Sequence, residues 1–150
     1  MRIPFGNWAE QLKFATPSAG SIPFTIPFYC CGVSAGFPSP ADDFIEKSLD
    51  LNELLIKHPA ATFFVRVTGA SMIDAGIRDK DILIVDRSIE PTHGKIVVAA
   101  IKGSLTVKRL KIQNAIAYLI PENEQFSIIP VDPEEGVYIW GVVAHVIHTL

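Results

Sequence analysis

The chain has 150 residues, enough for one domain and an arm, with a formal net charge of −3 from mixed signs and no dominating basic patch, which argues against sequence-specific nucleic-acid binding. It is 49% hydrophobic with a mean hydropathy of +0.31, high for a small soluble domain, so some apolar surface is expected to be shared with a partner. Its two cysteines, Cys30 and Cys31, are adjacent and offer no disulfide framework; a reducing, cytoplasmic setting fits.

Residues 1–41 read as an extended arm, because six of the eleven prolines fall there. Met1–Phe14 has no apolar run suited to a signal peptide, and no stretch approaches the ~20 apolar residues of a membrane span. Trp8–Phe14 has the pattern of two helical turns. Ile22–Tyr29 is apolar and extended; it suits a surface groove, a partner's sheet edge or an edge strand of the same fold. Val33-Ser34-Ala35-Gly36-Phe37 has small residues flanked by larger apolar ones. It reads as a flexible loop or as a protease substrate whose Ala35 carbonyl a nucleophile can approach.

Asp50–Lys57 predicts a short helix with Asp50 as its cap, Glu53 as capping-box partner, Leu51, Leu54 and Leu55 as a buried stripe packed on a sheet, and Pro59 as its stop. From Ala61 onward the pattern is one of short strands: Thr62–Thr68, Ile82–Val85, Lys95–Ile101, Leu105–Leu110, Ala115–Ile120 and Val137–Ile147. Turn residues separate them at Asp79–Asp81, His93-Gly94, Lys102-Gly103-Ser104 and Pro121-Glu122-Asn123. Short strands with regular turns predict a compact, mainly β domain.

Gly69-Ala70-Ser71-Met72 closes the first of these strands and puts a hydroxyl at its exit. Read alone, Ser71 is a turn serine and Lys108 a solvated strand lysine. Read together they have another use. A serine nucleophile needs a base, and a lysine amine serves only when unprotonated. Its reference pKa is about 10.4, so bringing it near neutrality means destabilising the ammonium by roughly 3–4 kcal/mol. Burial without a carboxylate does this, and Thr106 and Leu110 share the Lys108 face. A triad using His58 or His93 with Asp74, Asp79, Asp81 or Asp86 is the alternative; the same aspartates also read as turn residues. No histidine has partners at metal-ligand spacing, and no cofactor is implied.

Four ordered blocks, Gly69–Met72, Asp79–Asp86, His93–Ala99 and Leu105–Leu110, resemble the LexA/UmuD family of self-cleaving serine–lysine peptidases. Ala35–Ala41 and Asp50–Pro59 are similar to its UmuD branch. The similarity runs from about Ile26 to Ile147. It implies a LexA/signal-peptidase-like β-clip domain over 42–150 and an arm over 1–41 that holds the cleavage site. It further implies Ser71 as nucleophile, Lys108 as general base and Ala35–Gly36 as the scissile bond. The backbone N–H groups of Ser71 and Met72 are the candidate oxyanion donors. Implied partners are a second copy of the chain, the RecA filament as stimulator of cleavage, and an error-prone DNA polymerase of the UmuC type; no membrane is implied.

The residues ahead of Gly36 read as too few, and too rich in proline, for the helix-turn-helix domain of the family's repressors. Lys80 and Lys95 depart from the family pattern, which has glycine and often aspartate there. The competing expectations are a non-catalytic β module that regulates a polymerase, and a peptidase that acts on other proteins.

Overall fold

The computed structural model of the chain describes residues 26–29, 36 and 46–150. They fall into two compact units, one within Ser18–Lys57 and one spanning His58–Leu150. The expected turns at Trp8–Phe14, both cysteines and Ala35 lie outside the described residues.

In the smaller unit, β1 (Ile26–Tyr29) pairs antiparallel with β2 (Glu46–Leu49). Of the alternatives left open by the apolar Ile22–Tyr29 segment, strand pairing within the chain is what residues 26–29 adopt. Among the described residues β1 has a single neighbour, so the missing N–H of Pro27 leaves no second described ladder short of a donor. Helix α1 (Leu51–Leu55) follows, and the Asp50 carboxylate caps it by accepting the Asn52 N–H at 2.8 Å. The expected leucine stripe is a correction: Leu51 and Leu54 are exposed and no residue of α1 is buried. The helix ends after five residues, one and a half turns, too short to bury a continuous face.

The larger unit is a seven-stranded sheet in which every described pairing is antiparallel: β3 (Thr62–Arg66), β4 (Ile82–Asp86), β9 (Val137–Ile147), β5 (Ile96–Ile101), β6 (Ser104–Gln113), β7 (Ile116–Ile120) and β8 (Ile129–Pro130), in that spatial order. The expectation of a mainly β protein with one short helix holds. β9 has the most residues, eleven, and it lies between β4 and β5, so the last strand joins the two halves of the sheet.

β5 reads Ile-Val-Val-Ala-Ala-Ile with no polar alternation, and both of its faces are covered. Val97 and Ala99 belong to one core with Leu110, Leu119, Ile139 and Val142. Val98 belongs to the other, with Phe63, Met72, Leu83, Val85 and Trp140. The Phe63 and Trp140 rings meet edge to face with centroids 4.7 Å apart. Register shifts occur where β9 passes β5, at Val98/Ala99, and β4, at Ile84/Val85. The first changes the phase of β9, so that Ile139 and Val142, three positions apart, both lie in one core while Trp140 lies in the other.

The β5–β6 connection is the two-residue turn Lys102-Gly103, with φ of +46° and +85°. Positive φ at both positions matches the twist of a hairpin. It places Thr106, Lys108 and Leu110 on one face of β6, across from Ala99 and Val97.

Candidate active site

Lys108 is paired with Val97 in the β5–β6 ladder and shares a face with Leu110, so its side chain runs along an apolar core. Only 5% of it is exposed. Its Nζ has three polar neighbours: Ser71 Oγ at 2.8 Å, Thr106 Oγ1 at 2.8 Å and the Val107 carbonyl oxygen at 2.9 Å. None of the three is a carboxylate. Loss of solvation on burial therefore holds the amine below the ordinary lysine range with nothing to offset it.

Ser71 reaches this position through a local frame that starts where β3 ends. Val67 donates its N–H to the Asp81 carbonyl at 2.8 Å and accepts from Lys80 N–H at 2.9 Å. Gly69 then turns the chain with φ of +94°, a conformation that glycine adopts without strain. The Asp79 carboxylate secures that turn by accepting the Gly69 N–H at 2.8 Å. Met72, directly after the serine, is 1% exposed and anchors the turn in the core with Phe63 and Trp140. A 3₁₀ turn over Ile73–Ala75 completes it.

A second segment grips the same turn. Glu122 donates its N–H to the Ser71 carbonyl at 2.8 Å and accepts from Asp74 N–H at 3.0 Å. Asn123 Nδ2 donates to the Ala70 carbonyl at 2.9 Å. The Glu122 carboxylate is paired with Arg109, whose Nη1 also donates to the Gly94 carbonyl at 2.8 Å. Arg109, Glu122 and Asn123 were not legible as site residues, and Asp79 was read only as a turn residue or a member of the histidine triad. The sequence signal at Pro121–Asn123 was only that of a turn, and their function here depends on contacts across the fold.

Two open clefts meet at Ser71. One, of about 250 Å³, is lined by Val65, Thr68, Leu83, Leu105 and Val107 together with Ser71. The other, of about 350 Å³, is lined by Gly69, Lys108, Phe126 and Ile129 together with Ser71. Thr106 borders both.

Three of the four histidines are engaged elsewhere. His58 Nδ1 lies 2.6 Å from Asp86 Oδ2, and His148 Nδ1 lies 2.6 Å from Asp81 Oδ1. His93 Nδ1 accepts the Ile112 N–H at 3.0 Å. The hydrogen-bond partner of the Ser71 hydroxyl is a lysine, so the histidine triad has no support in this geometry.

The family model described as Peptidase S24-like matches residues 27–144. The chain belongs to the S24 family of serine peptidases. Its fold is the β-clip shared by LexA and UmuD, and within the S24 family it stands with the UmuD-like members. It is 48% identical to protein MucA of Salmonella typhimurium over 129 residues, covering 85% of this chain and 88% of that one. It is 46% identical to protein ImpA of Escherichia coli over 134 residues, covering 89% and 90%. It is 42% identical to the LexA repressor of Methylococcus capsulatus over 118 residues, covering 78% of this chain and 58% of the repressor. Among the described residues no helix is long and apolar enough to cross a membrane.

Of the positions expected from the S24 resemblance, Ser71 and Lys108 come together as described. Gly36 is exposed, and its neighbour Ala35 is outside the described residues. The departure at Lys80 has a structural correlate: its φ is +73°, the left-handed region that glycine favours.

Proposed function

We propose that this protein is an SOS mutagenesis factor that cleaves itself between Ala35 and Gly36, with Ser71 as nucleophile and Lys108 as general base. The observation that carries this reading is the 2.8 Å approach of Lys108 Nζ to Ser71 Oγ at a buried amine with no carboxylate partner. An unprotonated amine has two N–H groups and one lone pair. Val107 O and Thr106 Oγ1 take the two N–H groups, and the lone pair faces the Ser71 O–H.

Ser71 Oγ attacks the Ala35 carbonyl carbon as its proton passes to Lys108 Nζ. The resulting oxyanion is met by backbone N–H groups of Ser71 and Met72. The Ala35–Gly36 C–N bond then breaks, and the Gly36 nitrogen leaves as an amine carrying the proton from Lys108. Water, deprotonated by the same amine, hydrolyses the Ala35–Ser71 ester and restores the hydroxyl.

Residues 1–41 serve as the arm that presents the bond, and 42–150 as the peptidase domain. The 35 residues from Gly36 to Ser71 can span far more than a domain diameter, so reach permits cleavage within one chain or between two. Attachment makes the local concentration of the bond high, so restraint comes from the arm's resting away from the cleft. The RecA filament favours the docked arrangement and shifts the population toward it. The product, residues 36–150, dimerises and supports an error-prone polymerase of the UmuC type in copying damaged DNA.

The test is mass spectrometry of the purified chain after alkaline incubation, beside Ser71→Ala. A break after Ala35 in the native chain alone is expected. An intact native chain, or equal cleavage in the variant, overturns the reading. The first of these outcomes would leave a non-catalytic regulatory module.

A further inference from the structure

We infer that Asn123 is a positioning residue for this reaction: it sets the direction of the Ser71 N–H by holding the carbonyl on the other side of the same peptide. The inference rests on the proposed role of that N–H as an oxyanion donor. In a trans peptide the C=O and the following N–H lie in one plane and point opposite ways. There are no cis peptide bonds in the described chain. Orienting the Ala70 carbonyl therefore orients the Ser71 N–H.

The Ala70 carbonyl accepts from Asn123 Nδ2 at 2.9 Å and from the Ile73 N–H at 3.3 Å. The next peptide is held in the same way, since the Ser71 carbonyl accepts the Glu122 N–H at 2.8 Å. One short segment, Glu122-Asn123, thus binds the carbonyls of two successive peptides. The N–H groups of Ser71 and Met72 are directed away from those bonds, and no hydrogen bond from either is made among the described residues. Ser71 itself lines both clefts.

The Asn123 side chain is itself fixed at both ends. Its Oδ1 accepts the Gln125 N–H at 3.0 Å, so Nδ2 is left to face Ala70. Asn123 touches neither Ser71 Oγ nor Lys108 Nζ through any described bond, so its action passes through the backbone. An oxyanion donor whose direction is no longer imposed must be ordered at the moment of reaction, and that cost appears in the rate.

The experiment compares self-cleavage rates against pH for the native chain, Asn123→Ala, Asn123→Ser and Ser71→Ala, with thermal unfolding of each. Serine keeps an acceptor for the Gln125 N–H but is too short to reach Ala70. Both Asn123 variants are expected to lose about tenfold or more in the alkaline plateau rate, with the midpoint of the pH profile unmoved. A native plateau rate in either folded variant overturns the proposal. So does a slower rate accompanied by a displaced midpoint, which would mean that Asn123 acts on Lys108. Cleavage absent from the native chain, with Ser71→Ala identical to it, overturns the serine–lysine reading and this proposal together. Cleavage that needs Ser71 but not Asn123 overturns this proposal alone.

Discussion

Lys108 Nζ and Ser71 Oγ stand 2.8 Å apart although 37 positions separate them in the chain. Lys108 is carried by the long hairpin strand β6, and Ser71 by the turn after edge strand β3. Among the described residues the amine has no carboxylate partner, and burial lowers its pKa.

The first prediction concerns pH. The Lys108 amine is a base only when unprotonated, and burial puts its folded pKa below the ordinary 10.5. Self-cleavage should gain about tenfold per pH unit below that folded pKa and level off above it. A histidine base would level off near pH 7. Lys108→Arg keeps the positive charge but cannot shed a proton below about pH 12. It should show no cleavage at any pH in a gel-based time course.

The same burial has a cost in stability. Lys108→Met removes a desolvated amine and keeps an apolar chain of similar length, so it should be inactive yet more stable by about 1 kcal/mol at pH 7. The pH dependence separates this effect from simple repacking. Between the lowered folded pKa and 10.5 the unfolded native chain binds more protons than the folded one, so native stability rises with pH in that window. Urea unfolding across pH 7–10.5 should show this rise in the native chain and lose it in Lys108→Met.

Four described non-glycine residues, Lys80, Lys102, Asn114 and Ala115, occupy left-handed backbone where glycine would be at ease. Lys80 has φ of +73° in the turn before β4, and Ala115 has φ of +62° in the β6–β7 turn, after Asn114 at +51°. Lys80→Gly and Ala115→Gly should each raise stability by about 0.5–1 kcal/mol, the relief of strain exceeding the added freedom of the unfolded chain. Urea midpoints should rise with unchanged slopes. A fall at either position would mean that its side-chain contacts outweigh its backbone strain.

Gly141 of β9 is required by crowding. A Cβ added there would lie 2.7 Å from Val85 Cγ1 and 3.5 Å from the Asp86 carbonyl oxygen. Gly141→Ala should cost about 1–3 kcal/mol, and Val85→Ala in the same chain should recover part of that loss. Denaturant unfolding of both single variants and the double variant measures the coupling.

Acid should unfold the protein through two buried carboxylates. Asp81 is held below 3.8 by the Arg78 N–H and by His148. Burial raises Asp86, but the Ser88 hydroxyl, His58 and the Ser88 N–H outweigh it and its pKa is also lowered. Each contributes stability that is present above 3.8 and lost as pH falls through its folded pKa. Circular dichroism during acid titration should show a shallower loss in Asp81→Asn and Asp86→Asn than in the native chain.

The strands were readable because their residues are β-branched or apolar, at period two in β3 and in an unbroken run in β5, and the Lys102-Gly103 hairpin because its turn needs positive φ. β6 runs on to Gln113, three residues past its expected end, and its turn at Asn114-Ala115 went unread because alanine is not a turn signal. The α1 leucines misled, since helical spacing shows that residues share a face but not that anything covers it.

The chain's own residues determined the strand periods, the turn chemistry, and the pairing of a strand-exit serine with a strand lysine in a recognisable order. Those features are local, and local sterics decide them. Only the tertiary structure decided that β9 enters between β4 and β5, that Lys108 is sealed from water, and that Glu122 and Asn123 grip the Ser71 turn. Solvation and long-range hydrogen bonds depend on which distant segments meet, and no stretch of sequence carries that by itself.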